Sequence, residues 1–199
     1  MPYDPKRWVS TQPTEYESQG RAEMRTYKRA WIPGGCYFFT VNLAERHNST
    51  LLIDHIDSLR DAFRSVSVLH PFTMDAAVIL PDHLHCIWTL PKGDNRFDVR
   101  WRRIKSIFSR TIPGKESTTE SRRNKGERGI WQRRYWEHAI RDEVDWRRHV
   151  DYIHYNPVKH GYVERAFDWP HSTFCQFIKR EMYEVNWLAS PEIVEYDRE

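Results

Sequence analysis

The chain has few cysteines, no long apolar run and almost no net charge, and each shortage excludes a class of protein. Its 199 residues hold three cysteines, Cys36, Cys86 and Cys175, far apart and without a C-x-x-C pair. A disulfide framework and a cysteine zinc site are both unsupported, and a reducing cytoplasm is the expected setting. No stretch of about 18 apolar residues occurs, and Met1 to Gly20 lacks the apolar core of a signal peptide, so a soluble, unexported protein is expected. There is no internal repeat. The length suits one domain with some appended tail.

The net charge is only +3, but it is unevenly placed. From Arg96 to Arg134 there are thirteen Lys and Arg against four acids, Asp98, Glu116, Glu120 and Glu127, a local excess of nine positive charges. A charge run is often only a solvated face. Here Trp101, Phe108, Trp131, Tyr135 and Trp136 interleave with the arginines, a composition suited to phosphate contact and base stacking. The same rings would also serve as core.

Residues 1–26 are polar, contain Pro2, Pro5 and Pro13, and read as a tail. Cys36 to Leu43 is aromatic and β-branched, the profile of a strand. Asp54 to Val68 places Ile56, Leu59, Phe63 and Val66 at helical spacing, and Pro71 ends that helix. Phe72–Leu80 and His83–Leu90 read as two strands joined by Pro81-Asp82, an antiparallel hairpin. Phe97–Ile112 is an amphipathic helix with a basic outer face, whereas Pro113–Gly129 shows no apolar period and reads as a mobile basic loop. Ile130–Ile140 is extended, Glu143–Tyr155 is a helix stopped by Asn156-Pro157, and the chain from Gly161 is irregular. The order β-α-β-β-α-β-α predicts an α+β fold, a sheet covered on one face by helices.

Side chains alternate along a strand, so His83 and His85 project from one face and can share a metal ion, while Leu84 and Cys86 turn into packing. A histidine-triad hydrolase would need histidine where Ile87 stands, and a metallo-β-lactamase-like site would need an aspartate shortly after; neither is present. On the helix 143–155, Trp146, Val150 and Ile153 form the buried arc. Asn156 lies at its edge, Tyr152 a little farther round, and Tyr155 nearly opposite. Tyr152 and Asn156 are one turn apart on the same face. A tyrosine bordering a core is ordinarily amphipathic packing; the histidines make this one a candidate nucleophile.

Four blocks now stand out: Tyr27–Gly35 (YKRAWIPGG), Leu80–Pro91 (LPDHLHCIWTLP), Trp131–His138 (WQRRYWEH) and Val150–Gly161 (VDYIHYNPVKHG). Together, across roughly residues 27–178, they resemble the REP-associated tyrosine transposases, relatives of the IS200/IS605 group within the single-tyrosine His-hydrophobic-His endonucleases. The resemblance implies an antiparallel ferredoxin-like sheet with helices packed on it and the catalytic tyrosine on a C-terminal helix. It divides the chain into a tail (1–26), a catalytic domain (27–165) and a C-terminal extension (166–199). It implies a metal site of His83, His85 and Asn156 holding Mg²⁺ or Mn²⁺, with Tyr152 as nucleophile and Tyr135 and Tyr155 as its competitors. Asn156 departs from the glutamine usual in the IS200/IS605 relatives.

The implied activity is cleavage and rejoining of single-stranded DNA at REP-like hairpins through a 5′-phosphotyrosine. Arg100, Arg102, Arg103, Lys105, Arg110, Arg133 and Arg134 are the expected DNA contacts. A monomer is expected, with a dimer as the alternative, and no membrane association. Two other readings compete: a noncatalytic hairpin-binding protein, and a metal-dependent phosphodiesterase that activates water.

Overall fold

The computed structural model describes residues 29–113, 120–189 and 193. The expected tail 1–26 with residues 27 and 28, the first part of the basic loop (114–119) and the last residues from 190, Ile193 apart, lie outside them. Four strands, β1 (Cys36–Asn42), β2 (Thr73–Ile79), β3 (His83–Thr89) and β4 (Trp136–Ala139), form one sheet in the order β2-β3-β1-β4, every neighbouring pair antiparallel. With α2 (Ile56–Leu69) between β1 and β2 and α3 (Phe97–Thr111) between β3 and β4, this is the split β-α-β, ferredoxin-like topology. A four-residue helix α1 (Leu51–Asp54) precedes α2.

Helices cover the sheet on both faces, which corrects the one-sided expectation. Alternation along the strands divides the core. Tyr37, Phe39 and Val41 of β1 and Leu84, Cys86 and Trp88 of β3 pack against Leu59, Ala62 and Val66 of α2 and Phe97, Trp101, Ile104 and Phe108 of α3. Phe38, Ala76, Val78 and Ile87 emerge on the other face, against Trp146, Val150 and Ile153 of α5 (Glu143–Lys159) and Phe177 of α6 (Phe174–Lys179). Trp88 and Trp101 stack at 4.3 Å on the first face, fully buried, a site where truncation to alanine costs about 3–5 kcal/mol. Every residue of β3 is buried, as expected of a central strand sandwiched between two helical layers.

Two further expectations are revised. The helix 143–155 does not stop at Asn156-Pro157 but runs to Lys159 with Pro157 inside it. Pro157 stands in the last turn, where its missing N–H removes one bond, to Ile153 C=O, rather than breaking a continuing ladder. The chain beyond Gly161 is also ordered, through a 3₁₀ turn (Ala166–Asp168) and α6, and is tied to the edge strand β2: Thr173 N–H donates to Ala77 C=O at 2.9 Å and Ala77 N–H to Thr173 Oγ1 at 2.9 Å. Its apolar residues show no long period, yet Phe174, Phe177, Trp169 and Tyr183 pack beneath the sheet, and the strand-edge bonds fix where they lie.

The described end of the basic loop is likewise built rather than loose. It carries a short helix α4 (Glu120–Arg123). Arg122 donates to Gly129 C=O at 2.8 Å, Arg128 to Ile112 C=O at 2.6 Å, and Arg133 to Glu127 at 2.8 Å. Arginine-to-carbonyl bonds thus replace the missing apolar stripe.

Beneath α5, His154 is buried between Phe174, Phe177 and Tyr183, its Nε2 2.9 Å from Thr173 Oγ1. Burial lowers its pKa to about 3. Because the folded value lies below the unfolded one, near 6.5, its contribution is complete above pH 6.5 and is lost progressively as pH falls toward 3. Thermal unfolding with chelator present should show Tm falling through this window, with a shallower fall in His154→Gln. Identical pH profiles for the two proteins would show that His154 is not buried in its neutral form.

Candidate active site

The α5 face of β3 carries the predicted histidines. His83 and His85 are two residues apart and both buried, with ring centroids separated by 5.0 Å. Each is held through Nδ1. His83 Nδ1 lies 2.6 Å from Asp82 Oδ1, and Asp82 in turn accepts from Arg46 Nε at 2.6 Å. Arg46 Nη2 also approaches His83 Nδ1 at 3.3 Å. Arginine only donates, so the shorter carboxylate contact decides the tautomer: Nδ1–H donates to Asp82 and Nε2 retains its lone pair. His85 Nδ1 shares a 2.9 Å hydrogen bond with Thr40 Oγ1 from the neighbouring strand.

Burial lowers the pKa of both rings, His85 well below its usual value, so both are neutral at pH 7; for His83, Asp82 partly opposes the effect. Burial also acts to raise the Asp82 carboxyl, but hydrogen bonds from His83 and Arg46 outweigh it and hold the pKa below its ordinary value.

Tyr152 and Asn156 come from α5. The Tyr152 ring meets His85 edge-on at 5.2 Å and Phe38 at 6.0 Å, and Lys159 Nζ sits 5.3 Å from its centroid. Asn156 is fully buried, deeper than the edge position expected for it. Its Nδ2 reaches Tyr152 C=O at 3.4 Å, whereas Oδ1 has no hydrogen-bond partner among the described residues. A buried amide oxygen without a partner costs about 1–3 kcal/mol, so something outside the chain is expected to satisfy it. By donor chemistry, two neutral imidazoles on one strand face and an unsatisfied amide oxygen on α5 are groups that suit a divalent ion.

Of the competing tyrosines, Tyr135 lies behind the sheet, edge-on to Phe39 and Phe97 and beneath Arg29; burial, with the nearby Glu137 and Asp98 charges adding to it, raises its pKa. Tyr155 is half-buried, and among the described residues the rings of His83 and His85 meet Phe38, His160 and Tyr152 but not Tyr155.

α5 is fixed in place by Asp145. Asp142 caps the helix by accepting from Asp145 N–H at 2.8 Å. The Asp145 carboxylate lies 2.8 Å from His138 Nε2 of β4 and accepts from Arg141 N–H at 3.0 Å and Arg141 Nε at 3.2 Å, with His149 Nδ1 3.2 Å away. Burial would raise this carboxyl, but hydrogen bonds from His138, His149 and Arg141 hold it far below the carboxylate range. These residues have the composition of a metal site, yet the guanidinium on the shared oxygen repels a cation, and the group works as a clasp. Sequence reasoning missed Asp145, Thr40, Asp82 and Arg46. The pairs His138/Asp145 and Asp82/His83 were open to notice, whereas Thr40 and Arg46 meet the histidines only through strand pairing.

The predicted DNA contacts separate into two groups. Arg100 is 1% exposed and gives its donors to Asp94 at 2.7 Å, His70 C=O at 3.2 Å and Pro71 C=O at 2.6 Å, so it is a structural residue and not a phosphate contact. Lys105 also turns inward: it donates to Gln132 C=O at 3.0 Å, lies near the Trp131 and Tyr135 rings, and burial lowers its pKa to about 8. Helical period alone hid this, since both residues sit at the flanks of the apolar stripe. Arg102, Arg103, Arg110, Arg133 and Arg134 are exposed. Those on α3 lie on the sheet face opposite Tyr152, so the structure does not bring them together with the site.

The site thus joins a ferredoxin-like sheet, whose central strand carries paired histidines, to a helix that brings a tyrosine against them. No protein-family model matches the chain. It is 47% identical over 166 residues to the REP-associated tyrosine transposase of Escherichia coli (strain K12), covering 83% of this chain and 92% of that protein. The solved structure of a REP-associated tyrosine transposase bound to a REP hairpin superposes with a TM-score of 0.72 at 46% identity, over 84% of this chain and 93% of the other. The chain therefore belongs to the REP-associated tyrosine transposase family, and its activity is of the transposase type.

Replacing Arg100 leaves Asp94 and three backbone carbonyls, those of His70, Pro71 and Arg96, without their cation, whereas Arg102 and Arg103 face water. Arg100→Ala should lower stability by about 3–5 kcal/mol in chemical unfolding, and the pair Arg102→Ala/Arg103→Ala should stay within about 0.5 kcal/mol of the parent. Equal effects would refute the division into inward and outward arginines.

Proposed function

We propose that the chain cleaves and rejoins single-stranded DNA at REP-like hairpins through a 5′-phosphotyrosine on Tyr152. The observation that carries this reading is the Tyr152 ring against His85, with the partnerless Oδ1 of Asn156 one turn away on the same helix. The hairpin bound to the solved relative supports the choice of DNA. The protein is proposed to act as a monomer in the cytoplasm.

In the cleavage step the Tyr152 phenol oxygen bonds to phosphorus as the P–O3′ bond breaks. The phenol proton is released and the departing 3′ oxygen gains one. Attack of the freed or a second 3′-OH on the phosphotyrosine reverses this, so the ester stores the energy for rejoining. A free tyrosine is only about one part in a thousand phenolate at pH 7, a deficit of roughly 4 kcal/mol. Lys159 Nζ, 5.3 Å from the Tyr152 ring centroid, places a cation beside the site. His83, His85 and Asn156 are the residues that would hold Mg²⁺ or Mn²⁺, which when bound supplies charge neutralisation at the phosphate. Asp82 and Thr40 orient the two imidazoles from behind, and Arg46, half-exposed beside His83, offers a phosphate contact.

The exposed arginines Arg102, Arg103 and Arg110 on α3, with Arg133 and Arg134 before β4, are proposed to hold the duplex stem, leaving the single strand to the Tyr152 face.

Denaturing gels of a 3′-labelled hairpin with Mn²⁺ should show a protein-linked fragment that EDTA abolishes. Tyr152→Phe should reduce it to background with stability and hairpin binding kept, and Tyr155→Phe and Tyr135→Phe should retain it. A nucleotide remnant on a peptide lacking Tyr152, or a free 5′-phosphate released with turnover, would overturn the assignment.

For the stem, each duplex phosphate contact removed by Arg102→Ala or Arg103→Ala should reduce the slope of log affinity against log salt by about 0.9. An unchanged slope would remove α3 from the footprint.

A further inference from the structure

α5 closes with the sequence His160-Gly161-Tyr162, and its last turn is a Schellman motif. Gly161 N–H donates to Val158 C=O at 2.9 Å and Tyr162 N–H to Pro157 C=O at 3.0 Å. Gly161 has φ +70°, the left-handed conformation that this closure requires and that a side chain would strain. The turn folds Tyr162 back against the helix end, where its ring stacks on His160 (5.9 Å, 29° between planes) and on Trp169 (5.4 Å, 27°). His160 in turn meets His83 edge-on at 5.2 Å. A row of rings, His83, His160, Tyr162 and Trp169, therefore runs from the active site to the surface.

The row is braced at its outer end. Trp169 Nε1–H donates to Ile79 C=O at 3.0 Å, and His171 packs edge-on to the same ring. Tyr162, by contrast, is 42% exposed although it lies between two rings, and His160 is exposed as well. Large flat side chains held rigid and left open to water are suited to a flat ligand that brings its own charge. The cations beside the row, Arg46 at His83 and Lys159 at Tyr152, suit an anionic ligand.

We propose that His160 and Tyr162 form a stacking shelf for the unpaired bases that adjoin the phosphate attacked by Tyr152. This rests on the strand-transfer reading above. A base on the shelf would orient the strand at the phosphate next to it, and because every base has a flat face, the shelf would accept unpaired strand with little regard to sequence. Tyr162 and His160 are thus positioning residues for the reaction, and Trp169 is their support.

The test uses the full chain carrying Tyr152→Phe, so that binding is measured without cleavage. The probes are a hairpin oligonucleotide with a single-stranded extension containing 2-aminopurine at successive positions, and the same hairpin without an extension. The parent should quench fluorescence at one or two positions beside the cleavage point. Tyr162→Ala and Tyr162→Leu should abolish the quench and weaken binding of the extended hairpin by about 5- to 100-fold, leaving the blunt hairpin unaffected. Tyr162→Phe, which keeps the ring, should behave as the parent. Thermal unfolding of each variant checks that the fold is retained. Unchanged quenching and affinity in Tyr162→Ala, or an equal loss on both hairpins, would overturn the shelf.

The two readings fail separately. A protein with Tyr152 intact that forms no covalent adduct, while Tyr162-dependent quenching persists, sinks strand transfer and leaves the shelf standing; an adduct without that quenching does the reverse.

Discussion

The structure depends on β3 being buried on both faces. A seven-residue strand with no exposed position must divide its side chains by alternation, and the division is chemical: Leu84, Cys86 and Trp88 enter the core against α2 and α3, while His83, His85 and Ile87 face α5. A slip of one residue would send both histidines into the tryptophan cluster and expel Trp88 from it. The apolar face thus sets the register of the polar one. Several kcal/mol of aromatic packing hold two imidazoles that burial would otherwise disfavour as charged groups.

The second requirement is that α5 lie on that polar face at a defined position, since Tyr152 and Asn156 have no role without the histidines. Asp145 provides this by joining β4, the loop at Arg141 and the helix itself through one carboxylate. Packing of Trp146, Val150 and Ile153 supplies the attraction, and the directional bonds of Asp145 set the orientation. From that clasp the helix carries Tyr152 to His85 two turns later, and its Gly161 closure turns Tyr162 back beside His160. One element therefore presents the proposed nucleophile, the partnerless amide oxygen and the exposed ring.

Positive charge is used in two ways that composition does not distinguish. Arg100, Lys105, Arg122 and Arg128 direct their donors at backbone carbonyls and, for Arg100, the half-buried Asp94, and act as cross-links where apolar periodicity is weak. Arg102, Arg103, Arg110 and Arg134 keep their heads in water. A count of basic residues thus overstates the surface offered to DNA, and the exposed arginines of α3 face away from Tyr152.

Element order, hairpin pairing and the shared face of His83 and His85 were legible in the sequence, because each follows from local period and alternation. The conjunction of Tyr152 with Asn156 on one helical face was legible for the same reason, and four ordered blocks carried the family. Only the tertiary structure decided that α5 covers the second face of the sheet. It also decided that Pro157 stays within a helix, that residues beyond 161 pair with β2, and that Arg100 is interior. Thr40, Asp82 and Arg46 stand behind the histidines, and Tyr162 meets Trp169, through contacts between segments distant in the chain or through side-chain directions that hydropathy does not encode. Local pattern specifies which face a residue occupies. What stands across from that face is set by packing and by hydrogen bonds between elements, and these form only when the whole chain has folded.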